Sequence, residues 1–322
     1  MHGAKEAGLS IKDYFSKAEN VAEGQMLMRD KYGNDCLYAF FYAPLEVEAW
    51  GGEVIYSSDG PPNAGAPFIL DPEKISQLKA PSVKETPCLV KVLQAIKLMK
   101  SRVEDTCPII GVVMSPFSVP VMQMGFGRYL ELMMQRPDLM DKLLRINEDF
   151  CVEWANAQLE AGATAICYFD PVSSPTVVDR EFYLRTGFGV AKRTLARFKG
   201  PAATHFSSGR VLPIIDNVIQ SGASVVGVSC LENLYEIKSA CRGRITVMGN
   251  LNGIEMRRWS PVEAEEKVRQ TILDAGAGGG FIVSDNHGEI PWHVPEDTLF
   301  AVSSAVRKWG MYPLAGAAGN DR

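Results

Sequence analysis

Seven short runs rich in β-branched and aromatic residues recur along the chain, each followed by a longer stretch with helical spacing. This rhythm constrains the fold more than any other feature. The runs are CLYAFFYA (36–43), PIIGVVMS (108–115), TAICYFD (164–170), AATHFS (202–207), SVVGVSC (224–230), RITVMGN (244–250) and GFIVSDN (280–286). Strands separated by helices pair in parallel, because parallel neighbours need a crossover connection, and the helices then cover the outside. The clearest helix opens at Arg136-Pro137-Asp138, where proline suits the first turn and aspartate the positive end of the dipole. Met140, Leu143, Leu144, Phe150 and Trp154 follow as one apolar stripe. The first 35 residues read as helix, which leaves the ring one strand short of eight. The expected fold is a TIM-type (β/α)8 barrel, incomplete at the N-terminus: 1–35 a helical segment, 36–310 the catalytic barrel and 311–322 a tail. A doubly wound open sheet is the alternative.

Composition bounds the partners. The chain is 46% hydrophobic and 22% charged, enough apolar material for a sizeable core. Its net charge is −5 and no Lys/Arg cluster stands out, so no footprint for nucleic acid or anionic lipid is expected. No apolar run approaches the roughly 18 residues of a membrane span, and the N-terminus lacks a signal-peptide core, which makes a cytoplasmic protein the expectation. Cys36, Cys88, Cys107, Cys151, Cys167, Cys230 and Cys241 are widely spaced with no CxxC pair and read as reduced thiols.

In a barrel, loops after the strand C-termini converge on one mouth, so polar residues at strand ends become neighbours. Two of only four histidines, His205 and His287, fall at such ends. They suggest a metal held by two imidazoles, with Cys230 or a carboxylate of Glu46, Glu48, Asp170 or Glu232 completing the set; structural hydrogen bonds are the other reading. Glu46 and Glu48 share a face if their segment is a strand and not if it is a helix, and either is a candidate general base or a surface acid. Asp170 closes an apolar run, where a carboxylate points to a polar cleft or caps the next segment. Tyr42, Phe117, Tyr168, Phe206 and Trp292 also fall near strand ends. They either wall a pocket for a flat or methylated ligand or belong to the core.

Several segments together carry a family likeness: LEVEAWGGEV with the DGPP that follows, SPFSVPVMQMG (115–125), THFSSGRVLPIIDNVIQSGAS (204–224), and MGNLNG with GGFIVSDNHGEIPWHVPEDTLFAVSSAVRKWG. In their order and spacing the chain resembles the uroporphyrinogen decarboxylase superfamily, and within it the branch of cobalamin-linked methyltransferases. Decarboxylases of the family carry an arginine-rich N-terminal motif and an aspartate below the pyrroles. Here the motif is missing and Tyr42 stands in the aspartate's place. The methyltransferase branch commonly binds zinc through a His-x-Cys pair and a later cysteine, for which this chain offers His205, Ser207 and His287. The resemblance thus implies a rebuilt zinc site and a methyltransferase that moves a methyl group between a small methylated substrate and cobalamin. An O-methyl compound such as an aryl methyl ether is the favoured donor. The cobalamin is expected on a partner corrinoid protein, since no DxHxxG segment occurs in this chain. The rivals are a uroporphyrinogen III decarboxylase and a non-catalytic subunit that binds a corrinoid protein.

Overall fold

The computed structural model describes residues 1–314. The end of the expected 311–322 tail lies outside them. Three helices, His2–Glu6, Ile11–Ser16 and Ala18–Tyr32, occupy the first segment. Ser10 caps the second by accepting the Asp13 N–H at 3.0 Å, and Gly33, at φ 68°, ends the third in the left-handed conformation that glycine adopts freely.

Seven strands follow: β1 (Leu37–Tyr38), β2 (Ile109–Met114), β3 (Ala165–Phe169), β4 (Ala202–His205), β5 (Val225–Gly227), β6 (Thr246–Leu251) and β7 (Phe281–Asp285). All pair in parallel and in sequence order, the order of barrel strands. Tyr38 at one end of the sheet and His287 just past the other line the same cavity, so the sheet curls round on itself. Among the described residues no ladder joins β7 back to β1, and the TIM-type ring stays one strand short, as seven runs imply. A small antiparallel hairpin, Val54–Ile55 with Asn63–Ala64, stands in the loop after β1.

Several strands are shorter than their apolar runs. β1 keeps two residues of 36–43: Ala39 still donates to the Ile110 carbonyl at 2.8 Å, and the chain then turns through Pro44 into the helix Leu45–Ala49. β5 stops at Gly227, and the Asn250 side chain donates to the carbonyls of Ser229 (3.0 Å) and Glu232 (3.2 Å) beyond it. Side chains here satisfy backbone groups that a longer ladder would have used.

The helix Pro137–Ala161 begins where the sequence places it, and Met140, Leu143, Leu144, Phe150 and Trp154 are all buried. They join the main core between the sheet and its outer helices. A second core lies under Pro261–Ala275 and Glu296–Trp309, which pack against each other beside β6 and β7. The Pro261–Ala275 helix carries a full capping box: Ser260 Oγ accepts the Glu263 N–H while the Glu263 carboxylate accepts the Ser260 N–H. All seven cysteines are free thiols. Among the described residues no helix is long and apolar enough to cross a membrane.

Candidate active site

Parallel strands in register point matching residues to the same face. Met114, Phe169, His205, Gly227, Met248 and Ile282 form one such row across β2 to β7. Phe169 lines a cavity together with residues from both ends of the sheet, so this row faces the barrel interior. His205 stacks on the Phe169 ring with centroids 5.3 Å apart and planes inclined by 29°. Gly227 makes room for it, because a Cβ there would collide with His205 Cδ2. Ser207, with φ 54°, turns its backbone N–H back onto His205 Nδ1 at 3.0 Å. An amide N–H only donates, so Nδ1 accepts and the proton of the neutral ring sits on Nε2. Burial pushes the His205 pKa down to about 4, helped by the charge that His287 carries when protonated. The ring is therefore neutral at pH 7, and the two histidines are close enough for one to bear on the other.

The interior cavity has a volume of about 100 Å3 and is lined by Tyr38, Phe40, Ala43, Val112, Phe169, His287, Gly288 and Glu289. Asp285 shapes its far wall: its carboxylate accepts the N–H groups of His287 (2.7 Å) and Gly288 (3.0 Å) and so fixes the turn that carries the imidazole. Burial lowers the pKa of His287 more than Asp285 raises it, and His287 Nδ1 is buried without a protein partner. Burial also raises the Glu289 carboxyl, against the pull of the Met1 ammonium 3.7 Å away.

A smaller cavity of about 10 Å3 abuts the first, sharing Phe40, Ala43 and Val112, and is closed by Tyr42, Glu46, Met114 and Trp154 among others. Glu46 is its only acid. The segment 45–49 is a helix, so Glu46 and Glu48 diverge. Glu46 Oε1 accepts the Met114 N–H at 2.7 Å, at the end of β2, while Glu48 Oε2 accepts the Tyr42 hydroxyl at 2.6 Å. Glu46 is 4% exposed, and burial drives its pKa up to about 8, only partly opposed by the Met114 N–H. No Lys or Arg lines either cavity.

The other sequence-predicted residues fall elsewhere. Asp170 is fully buried and lines neither cavity. Its Oδ1 accepts the hydroxyls of Ser115 and Ser118 (2.7 Å for Ser118), which tie the loop after β2 to β3, and although Asp170 stands at the N-cap position of the turn Pro171–Ser173 its side chain makes no capping hydrogen bond there. Burial raises its pKa, with the serine hydroxyls opposing. Glu232 holds the loop after β4, accepting the N–H groups of Val211 and Leu212 at 2.8–2.9 Å. Cys230 lies half-buried in the turn after β5, its thiol pushed up by burial. Phe117, Tyr168 and Phe206 pack in the main core rather than on a cavity, and Trp292 lies beneath Lys5, whose ammonium is 4.8 Å from its ring centroid. Tyr38, Phe40, Phe169 and Glu289 take the lining places. Strand alternation is the signal for Phe169: it neighbours Tyr168 and therefore faces the opposite side, the side of His205.

Among the described residues no three His, Cys, Asp or Glu side chains come together as a set that could hold a metal ion. The tautomer of His205 points the same way, since an imidazole that ligates through Nε2 normally donates its Nδ1–H to a partner, and here Nδ1 receives one. The zinc implied by the resemblance does not fit this arrangement.

In enzymes built on parallel barrels the active site lies at the C-terminal ends of the strands, and His205 and His287 stand at such ends here. A family model described as Uroporphyrinogen decarboxylase (URO-D) matches residues 1–309, and the chain belongs to that family. Among curated relatives, the uroporphyrinogen decarboxylase of Methylibium petroleiphilum is 26% identical over 307 residues, covering 90% of this chain and 81% of its own. That of Xylella fastidiosa is 28% identical over 278 residues, covering 81% and 76%. Among solved structures, a methyltransferase from Methanosarcina mazei superposes with a TM-score of 0.87 at 19% identity, covering 96% of this chain and 90% of its own. A B12-independent methionine synthase from a Shewanella species reaches 0.57 at 13% identity, covering 90% and 88%. These likenesses bear out the TIM-type fold and the family.

Proposed function

We propose that this chain is a methyltransferase that moves a methyl group between a small, uncharged O-methyl compound, such as an aryl methyl ether, and the corrinoid of a separate protein. The observation that carries this reading is the lining of the interior cavity: three aromatic rings, a neutral imidazole, the Glu289 carboxyl and no Lys or Arg. A substrate bearing several carboxylates needs Arg or Lys to offset their desolvation, and neither cavity supplies one. A cavity of about 100 Å3 also suits a ligand of few heavy atoms rather than a macrocycle.

The corrinoid supplies the nucleophile that takes the methyl group. The chain's own residues do the rest. Tyr38, Phe40 and Phe169 hold the flat methylated group by dispersion and keep water away from it. His287, held in place by the Asp285 turn, hydrogen-bonds the oxygen that loses the methyl. His205 stacks against Phe169 and sets the orientation of that wall.

The rival reading comes from the names of the curated relatives, which are uroporphyrinogen decarboxylases. One experiment separates the two. Purified protein is mixed either with reduced corrinoid protein and a panel of aryl methyl ethers, following methylcobalamin by absorbance, or with uroporphyrinogen III, following its products by chromatography. Methyl transfer is expected, with His287→Ala slower by on the order of a hundredfold. Decarboxylation without methyl transfer overturns the proposal.

A further inference from the structure

Three of the eight residues that line the larger cavity, His287, Gly288 and Glu289, stand on the loop between β7 and the helix Glu296–Trp309. Tyr38, on the strand at the other end of the sheet, lines the same cavity, and among the described residues no ladder joins the two strands. A closed barrel fixes the separation of such walls through its main-chain hydrogen bonds. Here a different set of contacts crosses the seam.

The loop is held by the first helix. His2 Nε2 lies 2.9 Å from the Pro291 carbonyl oxygen, which only accepts, so the imidazole donates. Lys5 Nζ donates to the next carbonyl, that of Trp292, and its ammonium sits 4.8 Å from the centroid of the same residue's ring. His2 and Lys5 are three apart and so share one face of the helix His2–Glu6. That helix is pressed in turn onto Ala18–Tyr32. A Cβ on Gly24 would stand 2.7 Å from the Gly3 carbonyl oxygen, and the Glu6 carboxylate accepts both Lys31 Nζ (2.9 Å) and the Tyr32 hydroxyl (3.1 Å). Glycine in the middle of a helix is disfavoured, and the close approach of the two backbones is what Gly24 permits. One residue on, Gln25 Oε1 accepts the Tyr38 N–H of β1 at 3.0 Å. The end of the same helix is tied to the last one, where Arg307 donates to the Tyr32 carbonyl at 2.9 Å.

We propose that the helices His2–Glu6 and Ala18–Tyr32 form a clasp over the open seam, with His2, Lys5 and Gln25 as positioning residues. None of the three lines either cavity, yet together they hold Tyr38 and the His287–Glu289 wall at the separation a ligand needs. The line of contacts runs from Tyr38 through Gln25 and the Gly24–Gly3 approach to His2 and Lys5, and on to the carbonyls two and three residues beyond Glu289. Asp285 holds the start of the loop, and the clasp holds its middle. A further tie, His293 to Asp59 at 3.2 Å, joins exposed side chains and counts for little.

The test reads two properties of the full chain: hydrogen exchange, and binding of anisole followed by ligand-observed NMR. The variants are Gly24→Ala, which wedges the helices apart, and His2→Phe combined with Lys5→Met, which frees both carbonyls while keeping the apolar bulk. Both should speed exchange of the amides at 286–294 by about tenfold, the order expected for one or two hydrogen bonds of ordinary strength, and leave β3 unchanged. Anisole binding should weaken by a similar factor, and Lys5→Arg, which keeps the donor, should restore it. Faster exchange in the double variant with none in Gly24→Ala overturns the clasp, because the helices then do not act together. Faster exchange with anisole affinity kept overturns the positioning role. Should Gly24→Ala fail to fold, Lys5→Met alone, at an exposed position, carries the exchange test, and unchanged exchange there overturns the clasp. The anisole arm rests on the O-methyl reading above. If wild type binds no anisole, that reading fails, and the exchange of 286–294 still decides the clasp.

Discussion

Replacing Glu46 with glutamine should change the stability of the protein in a pH-dependent way whose size follows from the structure. Folding buries the carboxyl, and its pKa rises from 4.5 to about 8. The folded state therefore keeps a proton that the unfolded chain releases, and stability is lost as pH climbs through that window. At about 1.4 kcal/mol per pH unit the full loss is about 5 kcal/mol, half or more of the net stability of many domains. Glutamine preserves the bond from the Met114 N–H through its own carbonyl oxygen and has no proton to lose. Wild type and Glu46→Gln should then be similarly stable at pH 4.5. The variant's advantage should widen with each pH unit and level off above about pH 8. Urea unfolding of both proteins from pH 4.5 to 9 measures this difference, and contributions from all other groups cancel in it. Parallel stability curves would refute the reasoning, because they would mean that the carboxyl ionises in the fold as readily as in water.

Two further substitutions probe the scaffold of the site. Gly227→Ala should displace the His205 ring from Phe169 and lower methyl transfer by at least tenfold while the protein stays folded, read by turnover beside circular dichroism; unchanged turnover would show that the ring's position is immaterial. Ser118→Ala removes one donor to Asp170 and the acceptor of the Val172 N–H, so it should cost about 1–3 kcal/mol in urea unfolding with little effect on turnover. A large loss of turnover at full stability would return Asp170 to the chemistry.

The fold was legible because it depends on a repeated pattern. Seven apolar runs separated by helical stretches allow few arrangements, and the helix at Pro137 announced itself through proline, aspartate and a stripe. The site was legible only in part, and the reasons are local. Neighbours along a strand point to opposite faces, so His205 and Phe206 do not both face the interior, nor do Tyr168 and Phe169, and which of each pair turns inward depends on the sheet's curl. Glu46 and Glu48 were ambiguous until their segment proved helical. Asp170 looked like a mouth residue because an acid after AICYF asks for polar company. That company comes from Ser115 and Ser118 on another loop, a pairing that no local pattern displays.

The open ring has a consequence of its own. In a closed barrel, strand number and stagger fix the radius, so the bore is a property of the backbone. Here β1 and β7 share no ladder among the described residues, and Tyr38 and His287 line one cavity across the gap. The girth at that seam is set by how side chains fill it. A few substitutions at Tyr38, Phe40 or Glu289 can therefore widen or narrow the chamber without breaking a main-chain hydrogen bond, which lets one scaffold be refitted to guests of different size.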